Sequence, residues 1–312
     1  MSVASSSSTA TERIARSIGR MTLPPERCAP ASERRGDPLF ATAAPAERFV
    51  LVEQPGAWGR NALRESRLRT SIVADLLARC HAAGARLLLV RRAHRPTTAR
   101  SWAIADARPG SEATWWGTFD EDDELEGLDP LAPTGTPTTR PTFLVCTHGR
   151  RDACCAGRGW PVAVALTERF PEQTWQCSHV GGDRFAANVV VLPHGLYYGR
   201  VTPENAYELA ERHLDGRVEL GLLRGRSCYP PAAQAAQHFV RHELGVDAID
   251  ALPPLDVSRT DEETTTVVLG VDDGNVRVLL REHESAPIPR LTCSARSATP
   301  IREWELVSIE GA

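Results

Sequence analysis

The sequence predicts an α/β protein on three observations. Apolar runs of strand length alternate with helix-period segments, glycine and proline punctuate their ends, and two successive stretches run through nearly the same order of elements. The first 36 residues (1–36), SSSSTATERIARSIGR onward, are rich in Ser and Arg and predict a disordered tail. An α/β half follows over 37–140. FVLVE (49–53) reads as a buried strand, and SIVADLLARCHAAG sets Ile72, Leu76, Leu77 and Cys80 on one helical face before Gly84 stops it. RLLLVRR returns as a strand, and SWAIADA and ATWWGTF are two more. The acidic run DEDDELEG then leads into a Pro/Thr/Gly linker at about 129–141.

A second unit (141–250) opens with the strand TFLVC, crosses the polar loop THGRRDACC and enters a helix whose Val162, Leu166 and Phe170 share a face. TWQCS and NVVVLP are strands on either side of the glycine turn SHVGGD, and Pro193-His194-Gly195 turns the chain into LYYGRV. The next helix opens at Thr202-Pro203-Glu204, where Thr caps and Pro suits the first turn. The order β-α-β-β-β-α is that of a thioredoxin-like domain. The 37–140 half is expected to be related to it, although no sequence repeat accompanies the shared order. Beyond 250, TTTVVLGV and NVRVLLRE flank Asp272-Asp273-Gly274, a hairpin signal with Val267, Leu269, Val271 alternating against Val276, Val278, Leu280. The region 251–312 is therefore expected to be a small β appendage.

Composition narrows the function. With 312 residues, 42% hydrophobic, the chain can bury one large core or two ordinary ones. A net charge of −4 excludes the concentrated basic footprint of a nucleic-acid-binding protein. Every basic residue is arginine, with no lysine, a composition of high-GC bacterial genomes that gives arginine clusters no special meaning. No apolar run approaches the roughly 20 residues of a membrane helix, and the tail lacks the apolar centre of a secretory signal, so a soluble cytoplasmic protein is expected. Eight cysteines in such a compartment stay reduced, and their grouping points to metal or redox work rather than disulfides.

The cysteines gather in two places. Cys146 ends a strand, and Cys154 and Cys155 follow just ahead of a helix, whose N-terminus favours thiolate charge. Gly149 and Gly157 let that loop wrap closely. CSHVGGD then supplies Cys177, His179 and Asp183 within seven residues at a strand end. Together these sets predict a metal centre. His148 lies inside the loop, either donating a hydrogen bond to sulfur or simply solvated, and with Cys154 it is a second-choice ligand. His238 and His242 have helical chelating spacing but no zinc-hydrolase glutamate pattern and read as structural. Cys293, remote in sequence, reads as a small buried residue rather than a ligand.

VCTHGRRDACC, followed by CSHVGGDRFAANVVVLPHGLYYGRVTPE, resembles the sucrase/ferredoxin-like family, and the segments LTCSA and RGRSCYPPAAQAAQHF resemble its bacterial members. The resemblance implies a thioredoxin-like ferredoxin domain carrying a [2Fe–2S] cluster. The family holds this cluster by two cysteines of the first loop and two histidines spaced H-x3-H. Cys146 and Cys155 stand at the cysteine positions and His179 at the first histidine. Asp183 stands where the second is expected, which leaves Cys177, a soft thiolate, and Asp183, a hard oxygen ligand, as alternatives for the fourth ligand. Such a protein is an electron carrier with a reductase or acceptor protein as partner. The acidic run Asp120–Glu126 offers either a docking face for a basic reductase or an ordinary solvated surface.

Three other readings remain. A structural zinc site uses similar ligands without redox chemistry. A thiol oxidoreductase would work through Cys154 and Cys155, though a C-x-x-C is lacking. A sucrose hydrolase needs two carboxylates across a sugar pocket, and no sequence feature singles out such a pair.

Overall fold

A computed structural model describes residues 26–92, 99–272 and 274–311. Asp273 of the expected hairpin signal, residues 1–25 of the expected tail, residues 93–98 and Ala312 lie outside the described residues. Within the remainder of that tail, α1 (Cys28–Arg35) is a helix ended by Gly36 in the left-handed conformation. Its inner face is Cys28, Ala29, Ala31 and Ser32, small residues that carry little hydrophobic signal and yet are buried.

The first half runs β1 (Arg48–Glu53), α2 (Thr70–Ala82), β2 (Ala85–Arg91), β3 (Arg100–Asp106) and β4 (Ala113–Phe119). β1 pairs parallel with β2 and antiparallel with β3, which pairs antiparallel with β4. The acidic run forms a short 3₁₀ turn (Asp122–Gly127), in which Asp122 pairs with Arg100 at 2.8 Å and Asp123 pairs with Arg69. The linker is not wholly irregular, because β5 (Pro137–Thr138) adds itself to β4.

The second half repeats this pattern. β6 (Thr142–Cys146), α3 (Ala153–Arg169), β7 (Thr174–Cys177), β8 (Val189–Leu192), β9 (Leu196–Tyr198) and α4 (Pro203–Leu214) follow in the thioredoxin-like order β-α-β-β-β-α. β6 pairs parallel with β7 and antiparallel with β8, which pairs antiparallel with β9. The four-strand orders β2-β1-β3-β4 and β7-β6-β8-β9 are therefore the same, and antiparallel pairing of β2 with β7 (Val90 opposite Cys177) joins them. With β10 (Leu223–Arg226) at one edge and β5 at the other, the result is a single sheet of ten strands.

The central strands are buried on both faces, which is why they read as continuous apolar runs. One core crosses the seam, with Phe49, Leu51, Leu88, Val90, Leu144, Trp175 and Tyr197 in contact. Burying side chains of this size stabilises by about 1.5–3 kcal/mol each. α2 covers the first half through Ile72, Val73, Leu76 and Cys80, and α3 covers the second through Val162, Ala163 and Leu166.

α5 (Pro231–Leu244) connects this body to a second, antiparallel sheet of β11 (Pro254–Arg259), β12 (Thr264–Val271), β13 (Gly274–Glu284) and β14 (Arg302–Glu310). The alternating Val267, Leu269, Val276, Val278 and Leu280 all turn inward against α5. His238, on α5, stacks on Phe40 with ring centres 4.1 Å apart, and burial pushes its pKa down to about 4.

Candidate metal centre

Two chain segments meet at the C-terminal ends of β6 and β7. Cys146 is the last residue of β6, and the loop after it turns through Gly149 to Asp152, whose carboxylate accepts from the Cys154 N–H at 2.8 Å and so caps α3. The cap fixes the first turn of α3, and with it Cys154 and Cys155. Gly159 then permits α3 to lie against the end of β6, since a Cβ there would fall 2.1 Å from the Cys146 carbonyl oxygen. Opposite, β7 ends at Cys177, and the chain turns through Gly181 and Gly182, both with positive φ, into a 3₁₀ turn beginning at Asp183.

The side chains of Cys146, Cys155 and His179 converge here, each offering a donor atom within 4.8 Å of the others. Asp183 joins them. Its Oδ1 lies 3.2 Å from the Cys155 sulfur, whose thiol donates to it, and 3.0 Å from His179 Nδ1. That second contact is close without hydrogen-bond direction, so Nδ1 is a buried nitrogen left without a hydrogen-bonding partner. The donors are two sulfurs, an imidazole and a carboxylate. Two thiols, an imidazole and a carboxylate gathered at one point are the donor set of a metal site, and the set fits either an iron–sulfur cluster or a single thiophilic ion.

The electrostatics agree. The Cys155 thiol and His179 beside it hold the Cys146 thiol well below its ordinary range, while the nearby Cys146 and burial push the Cys155 thiol up. Burial alone would lower the His179 pKa, but Asp183 and Cys146 outweigh it and raise it to about 9. Burial also works against charge on Asp183, yet His179 keeps its carboxyl below the usual range. Negative charge is thus gathered on sulfur and oxygen at a point almost closed to water.

The remaining sequence candidates are placed as follows. Cys177 is fully buried in the core beside Cys146, where burial raises its pKa, and it is not among the converging donors. His148 accepts the His179 N–H on Nδ1 at 3.3 Å, and its Nε2 lies 2.7 Å from the Gly59 carbonyl, so it orients the ligand turn from the first half. Burial lowers its pKa. Cys154 faces the other way from Cys155, toward α1. Cys293 is not a core residue; it is half-buried, with its sulfur 3.5 Å from those of both Cys28 and Cys154.

One residue that sequence reasoning passes over holds the turn in place. Arg224, fully buried on β10, donates to Gly181 O at 3.0 Å, Asn188 Oδ1 at 2.7 Å, Thr42 Oγ1 at 3.0 Å and Thr42 O at 2.5 Å. It also lies over Phe185 and Tyr197. A Cβ at Gly182 would meet it at 2.5 Å, so turn and clamp fit only without a side chain there. LRGR gives no sign of this, because arginine in a strand normally reads as exposed.

His179 also borders a cleft of about 380 Å³ between the halves, walled by Arg60, Leu77, Arg86, His148 and Arg151. Its side chain is 21% exposed there and is the accessible edge of an otherwise buried centre.

Comparison with known proteins returns one family, described as Sucrase/ferredoxin-like, whose profile matches residues 39–225. Altered inheritance of mitochondria protein 32 of Meyerozyma guilliermondii is 32% identical over 78 residues, covering 22% of this chain and 28% of that protein. Among solved structures, the thioredoxin-like [2Fe–2S] ferredoxin from Aquifex aeolicus is 24% identical, covering 29% of this chain and 94% of that one at a TM-score of 0.26. A cysteine-to-serine variant of it is 25% identical, covering 27% of this chain and 97% of that one at a TM-score of 0.24.

Proposed function

The chain belongs to the sucrase/ferredoxin-like family, and on that premise we propose that Cys146, Cys155, His179 and Asp183 hold a [2Fe–2S] cluster and that the protein is a one-electron carrier. The observation that carries this reading is the convergence of Cys146, Cys155 and His179 on one point, with Asp183 Oδ1 beside Cys155 and His179. When bound, such a cluster supplies a redox centre that takes up and releases single electrons. The protein's part is positional. The capped start of α3 presents Cys155, the end of β6 presents Cys146, and His148 with Arg224 fixes the turn that carries His179 and Asp183. Burial excludes water from all but the His179 edge, so a redox partner protein, donor or acceptor, reaches the centre through the cleft beside it.

The test is protein purified without oxygen. A reddish-brown colour, about two irons and two labile sulfides per chain, and an electron-spin signal on reduction are expected. A second reading is favoured by the spacing, because donors within 4.8 Å of one another also suit a single ion. A mononuclear zinc at the same residues would leave the protein colourless and free of iron, and that result would overturn the cluster.

A further inference from the structure

Cys154 and its neighbours form a second donor group that the proposed cluster does not use. Three thiols meet there from three remote parts of the chain: Cys28 at the start of α1, Cys154 in the first turn of α3, and Cys293 in the loop between β13 and β14. Cys28 and Cys154 are almost wholly buried, and Cys293 closes the group from outside. Its sulfur lies 3.5 Å from each of theirs. Asp152 completes the set, with its two carboxylate oxygens 3.6 and 3.7 Å from the Cys28 sulfur. All four donors lie within 4.8 Å of one another.

Bond lengths typical of zinc, about 2.3 Å to sulfur and about 2.0 Å to oxygen, set the edges of a tetrahedral site at about 3.8 Å between sulfurs and about 3.5 Å from sulfur to oxygen. The observed 3.5 Å and 3.6 Å edges are close to both. A disulfide fits less well, since Cys293 stands equally far from two partners and an S–S bond is only about 2.0 Å.

The carboxylate is also prepared. Asp152 accepts from the Cys154 N–H at 2.8 Å and from the Cys293 N–H at 2.6 Å, which holds it rigidly and ties the C-terminal loop to the cap of α3. Among the described residues no arginine forms an ion pair with it, although it is buried, so its charge is compensated only by dipoles and N–H groups.

We propose that Cys28, Cys154 and Cys293, with Asp152, form a structural Zn²⁺ site, separate from the Cys146, Cys155 and His179 centre, that pins α1 and the C-terminal loop onto the start of α3. The loop from 285 to 301 has little else to order it: a bridge between Ile288 and Thr299 and hydrogen bonds at its two ends. Zinc binding would therefore contribute directly to its folding. Consecutive residues of one helix turn, Cys154 and Cys155, point about 100° apart, so one helix start would serve two metal sites from two different faces.

The experiment is metal analysis of the full chain and four variants, Cys28→Ser, Cys293→Ser, Cys146→Ser and, as a control, Cys80→Ser, on the inner face of α2. Cys28→Ser and Cys293→Ser are expected to lose about one zinc per chain while keeping the iron and visible absorption of the wild type. Cys146→Ser is expected to do the reverse, and Cys80→Ser to lose neither. Because each loss is counted against wild type, the reading stands or falls independently of which metal the first centre holds. Added Co²⁺ gives a second readout that does not depend on recovering zinc. The zinc-depleted wild type should develop thiolate-to-cobalt and tetrahedral ligand-field bands, and Cys293→Ser should not. Unchanged zinc in Cys293→Ser, loss of iron from it, or a mass two hydrogens short of the reduced chain that disappears in that variant would each overturn the proposal.

Discussion

Replacing Arg224 with methionine keeps much of the side-chain volume and removes its donors. Gly181 O, Asn188 Oδ1 and Thr42 O would be left as buried acceptors, at about 2 kcal/mol each, a loss of about 6 kcal/mol. Against this stands the cost of keeping the guanidinium out of water, visible in a pKa lowered from 12.5 to about 10 and equivalent to about 3 kcal/mol. The net destabilisation is about 3 kcal/mol. For a chain of this size it should lower the thermal midpoint by about 5–10 °C. The damage should also be local, since Gly181 lies between His179 and Asp183, and iron per chain should fall even in the folded fraction. Arg224→Lys keeps the charge but lacks the planar fork that reaches several acceptors at once, and it should fall between the two. Circular dichroism melts and iron analysis on the same samples give both readouts. A methionine variant that melts within about 1 °C of wild type with full iron would refute the clamp.

Cys146→Ser and Cys155→Ser should each abolish the visible absorption, whereas Cys154→Ser should keep it; anaerobic spectra of the three check this, and equal loss in all would break the assignment of the loop. Asp183→Ala should bleach or strongly shift the spectrum and Cys177→Ser should not, because Cys177 stands apart from the converging donors; the opposite pattern would make Cys177 the fourth ligand. His213 is buried beside His194, and burial holds its pKa down at about 3, so it is neutral in the folded protein and takes up a proton only on unfolding. A depressed histidine contributes stability that is fully present above about pH 6.5 and is lost as pH falls toward 3, by about 1.4 kcal/mol per unit. Urea midpoints at pH 7 and 5.5 should therefore draw apart in wild type and less so in His213→Leu.

The paired halves were legible because their strands are buried on both faces and are written in Val, Leu and Phe, with glycine and proline between them. α1 was not, because it buries Cys28, Ala29, Ala31 and Ser32, a face too small and too polar to stand out from a Ser- and Arg-rich tail. β10 escaped notice for the opposite reason: Arg224 and Arg226 are buried there, and only their partners on other strands and loops reveal it. At the metal centre, the residue types and spacing led to Cys146, Cys155 and His179. The family resemblance put Cys155 rather than Cys154 at the second cysteine position, and in the structure one step along α3 exchanges one cluster of neighbours for the other. The group around Cys28 and Cys293 had no local signature, since 265 residues separate these two thiols.

The repeated strand order gives the first half a role that its lack of metal ligands would hide. β2 pairs with β7 directly beneath the ligand turn, where Ser178 donates its N–H to Leu89 O at 2.8 Å and accepts the Leu89 N–H on its hydroxyl at 3.0 Å. Arg86 donates to the His179 carbonyl at 3.2 Å, and the Gly59 carbonyl meets His148, whose other ring nitrogen accepts the His179 N–H. The backbone of His179, the proposed histidine ligand, is thus held on both its N–H and its C=O by groups that answer to the first half. The same residues wall the cleft through which His179 is exposed. A second half separated from the first would keep its cysteines in place on β6 and α3 but lose the Arg86 bond to the His179 carbonyl and the Gly59 anchor of His148. It would also open the basic wall formed by Arg60 and Arg86. Geometry and access at the proposed site are therefore properties of the seam, and the family profile, matching residues 39–225, spans both halves.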